Sequence, residues 1–126
     1  MNYLERIEKI KPMTRFECFG TILYIAGSTS YPKTLDMIYA RILFEKLNKL
    51  DKPEVPCIAG IYGLTPDNQW LLGKEYLHHL AIVTDINPIR ITHRNGDRSP
   101  LSENEIFNLD SILKDKGRVE YRQLNL

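Results

Sequence analysis

One thiol and two imidazoles stand at positions whose surroundings suggest chemistry. Cys18 lies in Thr14-Arg15-Phe16-Glu17-Cys18-Phe19-Gly20-Thr21-Ile22-Leu23-Tyr24-Ile25-Ala26-Gly27, at the start of a short apolar helix. His79 opens the run Leu80-Ala81-Ile82-Val83, and His93 ends the run Ile89-Arg90-Ile91-Thr92-His93. A thiol attacks a carbonyl as thiolate, so its pKa must come down from about 8.5. Unpaired N–H groups and the macrodipole at a helix N-terminus favour that anion, and a nearby imidazole takes the proton. A second imidazole can hold the first in the required tautomer. Cysteine on a helix start, histidine on a strand and histidine on the next strand is an order in which a nucleophile, its base and an orienting group occur.

The elements must put these groups on one side. Leu77 to Asp85 is the strongest strand pattern; period two places His79, Ala81 and Val83 on one face and His78, Leu80 and Ile82 on the other. Ala81 is small enough for a helix to approach that face. On the strand Ile89 to Arg94, Ile89, Ile91 and His93 share a face, while Arg90, Thr92 and Arg94 share the opposite, solvent-like one. Antiparallel pairing through Ile86-Asn87-Pro88 brings both histidines to the helix-facing side. His78 then reads as structural or exposed, and Cys57, without a capping helix or a paired histidine, as core.

Leu4, Ile7 and Ile10 repeat at helical spacing and predict a helix over about 2–10, stopped by Pro12. A second helix covers about 17–26, with Gly27 as its C-cap. Thr34 is placed to cap a third, whose apolar face is Leu35, Ile38, Ile42, Leu43, Leu47 and Leu50. Beyond two proline breaks the chain turns β-leaning, with strands at Cys57 to Leu64 and Trp70 to Leu72, turns at Thr65-Pro66-Asp67-Asn68 and Asn95-Gly96-Asp97, and the two histidine strands. Ser102 with Glu105 three residues on predicts a capping box and a helix to about Lys114; Arg118 to Leu124 alternates as a last strand. Helices first and strands later describe an α+β domain, one domain over residues 1–126.

Lys plus Arg number 17 against 16 Asp plus Glu, so charge suggests no attraction to nucleic acid or anionic lipid. Arg90, Arg94 and Arg98 form a local basic edge that would suit a solvated face or a substrate carboxylate. The N-terminus alternates charged and apolar residues, unlike a signal peptide, and no run approaches a membrane span. With two distant cysteines and no CxxC pair, the expected compartment is reducing and cytoplasmic.

The segments Glu17-Cys18-Phe19-Gly20, His79-Leu80-Ala81-Ile82-Val83 and Ile91-Thr92-His93 resemble the motifs of the papain-like cysteine peptidases and amidases of the NlpC type. In that family a cysteine opens a helix in an Asp-Cys-Ser-Gly-like motif, a histidine begins a strand, and a polar third residue, often histidine, follows on the next strand. The resemblance covers roughly residues 14 to 95, with Cys57 to Leu64 as the family's first core strand; Glu17 and Phe19 depart from the motif. It implies a papain-like fold of N-terminal helices on a small antiparallel sheet, a Cys18–His79–His93 triad, no cofactor, and a peptide or amide substrate of the peptidoglycan stem-peptide kind. Two other readings stand beside it. One is an inert papain-like scaffold for interaction or assembly, favoured by Phe19 crowding the thiol; the other is a cysteine acyltransferase. A zinc site from Cys18, His79 and His93 has the right ligand types but no close-spaced ligand pair. Oligomeric state is left open by the sequence.

Overall fold

The computed structural model describes residues 1–64, 75–96 and 98–126. The expected turn at 65–68, the strand at 70–72 and Asp97 of the second turn lie outside the described residues.

Three helices lead the chain. In α1 (Tyr3–Ile10) the Asn2 side chain accepts from the Glu5 amide at 2.9 Å, and Ile7 and Ile10 turn inward. In α2 (Cys18–Ile25) Glu17 is the N-cap, and nearly the whole helix is buried. Gly27, at φ 84°, ends it as expected: its amide reaches the Tyr24 carbonyl and that of Ser28 reaches Leu23, so two carbonyls left over by the helix are satisfied. In α3 (Met37–Glu45) the cap is Asp36 rather than Thr34, and the helix ends before Leu47. Ala40 and Phe44 face inward, whereas Ile38 and Ile42, expected in the core, are exposed. The Phe44 ring lies directly over Gly60, where a Cβ would overlap it. The close helix–sheet approach assigned to Ala81 therefore occurs at this glycine instead.

The strands are β1 (Lys49–Leu50), β2 (Cys57–Leu64), β3 (Glu75–Ile86), β4 (Ile89–Arg94), β5 (Leu101–Ile106) and β6 (Arg118–Arg122), with α4 (Leu109–Lys114) between the last two. They form one sheet in the order β1-β6-β2-β3-β4-β5, with every neighbouring pair antiparallel. This is an α+β architecture, helices first, on a small antiparallel sheet. The segment expected to start a helix at Ser102 is instead edge strand β5. Its exposed Glu103, Asn104 and Glu105 are the polar residues an edge strand carries to discourage pairing with another chain. The helix starts later, capped by Asn108, whose side chain accepts from the Ser111 amide.

Apolar clusters lie on both sheet faces. Helices α1, α2 and α3 pack with Ile58, Tyr62, Leu77, Leu80 and Ile82. On the other face Cys57, Ala59, Ile61, Ala81, Val83 and Ile91 pack with Phe107 and with Ile112 of α4. The two cysteines are free. No described helix is long and apolar enough to cross a membrane.

Arg94 corrects the expectation that its side of β4 is solvent-like. It is fully buried, and so, nearly, is Thr92. The guanidinium donates to the carbonyls of Met13 (2.7 Å) and Phe16 (3.2 Å) and to Thr21 Oγ1 (3.0 Å), with Ile10 and Lys11 carbonyls at 3.5 Å. The α1–α2 connection lies over this face with carbonyls that no ladder satisfies, and a five-donor side chain from below satisfies them. The basic edge is thus reduced to half-buried Arg90, which donates to the Asn104 carbonyl, and exposed Arg98.

Candidate active site

Cys18 is the first residue of α2. The Glu17 carboxylate caps the helix by accepting from Gly20 N at 2.9 Å, and the same oxygen accepts from Leu35 N at 3.0 Å. One acidic side chain therefore fixes both the helix start and the segment entering α3. Arg94 holds the preceding loop from the other side. The β3–β4 ladder ends at Ile82 and Thr92, and Leu80 offers its backbone amide to the Cys18 thiol.

The histidines do sit on one face, as the strand periods require, but it is the face opposite α1, α2 and α3. Cys18 reaches it because the thiol is at the tip of its helix rather than along its flank. Cys18, His79 and His93 line a common cavity of about 460 Å³, walled by Ile61, Ile91, Phe107 and Ile112. Phe19 packs on the helical side of the core and is not among the lining residues, so it does not crowd the thiol. A second cavity of about 280 Å³ shares Ile61, His78, Ser111 and Ile112 with the first, so the two adjoin.

His79 Nε2 lies 2.8 Å from His93 Nδ1, the two rings nearly perpendicular at 86°. His93 Nε2 lies 2.6 Å from Glu105 Oε2. The bonded nitrogen of His79 is thus Nε2, and Nδ1 is the nitrogen not engaged with His93. His78 does not follow the strict alternation expected of it. Ile61 pairs with His79 but Tyr62 pairs with Leu77, so His78 is the extra residue of a β-bulge. It is exposed and borders both cavities instead of pointing away from His79 with buried Leu80 and Ile82.

The electrostatics differ from the expected lowered thiol. Burial pushes Cys18 up to about 11; the amides of Leu80, Phe19 and Cys18 itself act against this, and the Glu17 charge adds to it. Burial, then the neighbouring His93 and His78, push His79 down to about 4, with Glu105 opposing. Near neutral pH the free protein therefore holds a neutral thiol and a neutral imidazole. The helix terminus does favour the anion, but desolvation is the larger effect at this half-buried sulfur.

Glu105 is the residue sequence reasoning missed as part of the site. Its position three after Ser102 matched a helix-capping pattern, and that local reading hid the fact that it faces His93 across β4 and β5. Among the described residues no group of three or more His, Cys, Asp or Glu side chains is arranged to hold a metal ion. Cys57 is buried in the core, as its sequence surroundings suggested.

Comparison of the chain with family models, with curated proteins and with solved structures yields no match.

Proposed function

We propose that the protein is a thiol hydrolase of the papain-like, NlpC type, cleaving an amide bond in a small peptide with Cys18, His79 and His93. The observation that carries this reading is the hydrogen-bonded line from His79 through His93 to Glu105 inside a cavity that Cys18 also lines. A core histidine needs one backbone partner; two consecutive imidazoles backed by a carboxylate hold a ring in one orientation and one tautomer.

The reaction follows from the neutral starting state. His79 Nδ1 takes the Cys18 proton as the sulfur lone pair forms a bond to the amide carbon and the carbonyl π pair moves to oxygen. The Cys18 amide, at the helix start, suits the role of donor to that oxyanion. As the intermediate collapses, the C–N bond breaks and the leaving nitrogen takes the proton from His79, leaving a thioester. Water then gives a proton to His79 and attacks the thioester carbon; the C–S bond breaks and the thiol recovers its proton. If an alcohol or amine takes the place of water, the same steps transfer the acyl group.

A second reading, an inert scaffold of the same fold, is favoured by the raised thiol and lowered imidazole, which argue against a preformed ion pair. Labelling with a thiol-directed electrophile separates the two. The hydrolase reading expects Cys18 to be modified and Cys18→Ala to abolish labelling. Modification confined to Cys57 would sink it.

A further inference from the structure

We propose that Glu105 is a positioning residue: its carboxylate sets the tautomers of both histidines so that the free lone pair of His79 resides on Nδ1. This rests on the hydrolase reading for its consequence but on hydrogen-bond chemistry for its content. An ionised carboxylate only accepts hydrogen bonds. The His93 nitrogen 2.6 Å from it, Nε2, therefore carries hydrogen. In the proposed state His93 is neutral and has one N–H, so its Nδ1 is bare and accepts. Its partner at 2.8 Å, His79 Nε2, must then be the donor. Nδ1 of His79 is left bare, and that is the nitrogen not engaged with His93. One acceptor at the end of the line thus dictates the protonation pattern two rings away.

The strand geometry is built for this contact. Across β4 and β5, Ile91 pairs with Glu105 but His93 pairs with Ser102, so β5 carries an extra residue at this point. Asn104 takes a left-handed backbone (φ 54°) and donates its amide to Thr92 Oγ1 at 3.3 Å. A bulge of this kind re-aims its neighbour, and here Glu105 comes to lie on the face shared by Ile91 and His93. The titratable groups bordering the two rings from the packed elements are Cys18 of α2, His78 of β3 and Glu105 of β5, while Arg94 lies on the far face. Glu105 is the carboxylate among them. Its side chain is 53 % exposed, so replacing it removes little packing.

Long-range ¹H–¹⁵N correlation spectra near pH 7 read the tautomers directly. The wild type should show both His79 and His93 as Nε2–H. Glu105→Gln replaces the obligate acceptor by an amide that can also donate, so both rings should gain Nδ1–H population. The rate of Cys18 alkylation by iodoacetamide should fall about ten-fold in step with loss of the charge-assisted bond. Glu105→Ala, with circular dichroism as a check on folding, should do the same. His79 found as Nδ1–H in the wild type, or tautomers unchanged in both variants, would overturn the proposal. An unreactive Cys18 in a wild type whose tautomers are as expected would instead defeat the hydrolase reading and leave this one standing.

Discussion

His93 and Arg94 are neighbours on β4, both buried, and they serve opposite faces of the sheet. On Arg94's side three protein oxygens lie within 3.2 Å of one guanidinium nitrogen, and the helices cover the rest. On His93's side the polar groups form a line that opens into a cavity, covered only in part by Phe107 and α4. Desolvation acts on both faces but with different consequences. It makes Arg94 a clamp whose loss leaves carbonyls unsatisfied, and it leaves the Cys18 thiol and the His79 imidazole neutral near pH 7. The two faces meet at Cys18, because the loop that Arg94 holds leads into the residue that lines the histidines' cavity.

Breaking the closed face should have the largest effect. Arg94→Ala strips the hydrogen bonds from the α1–α2 connection and should cost about 4 kcal/mol in urea unfolding, with loss of Cys18 reactivity as α2 shifts. On the open face the effect is written in pH. The His79 pKa, lowered from 6.5 to about 4, means that the unfolded chain takes up a proton before the folded one. Stability from this group is complete above pH 6.5 and is lost as pH falls toward 4, about 3 kcal/mol in all. His79→Gln should show a correspondingly flatter stability profile over that window, measured as the difference from wild type.

Between the faces lies Gly60. Gly60→Ala sets a methyl group against the Phe44 ring and should cost about 2 kcal/mol without altering the thiol's environment, again by urea unfolding. Smallest is the cap. Glu17→Ala should cost about 1 kcal/mol, and because the Glu17 charge raises the thiol pKa, Cys18 should titrate lower in the variant when followed by thiolate absorbance.

The sequence made α1, α2, β2, β3, β4 and β6 legible because their apolar periods are local, and the glycine after α2 marks its end unambiguously. It also placed His79 and His93 on one face, since each strand's own alternation decides that. What it could not reveal were choices made by distant partners. The polar set Arg90, Thr92 and Arg94 looks like a solvated face until the α1–α2 carbonyls are brought over it. Ser102 and Glu105 match a helix cap equally well whether or not the chain is an edge strand beside β4. Ile38 and Ile42 fit a helical stripe, but the start at Asp36 and the contact of Phe44 with Gly60 turn another face inward. His78 escapes alternation through a bulge that depends on its pairing with β2.

The claim at the centre of this account is that His79 exchanges a proton with Cys18. It is tested most directly by the rate of Cys18 alkylation by iodoacetamide between pH 4 and pH 11 in wild type and His79→Gln. With His79 as base, the wild-type rate rises as the imidazole loses its proton near pH 4 and stays level through neutrality, well below the thiol's own titration at about 11. The variant should lose that plateau and react only as the thiol ionises. Superimposable profiles that follow the thiol alone would contradict the account.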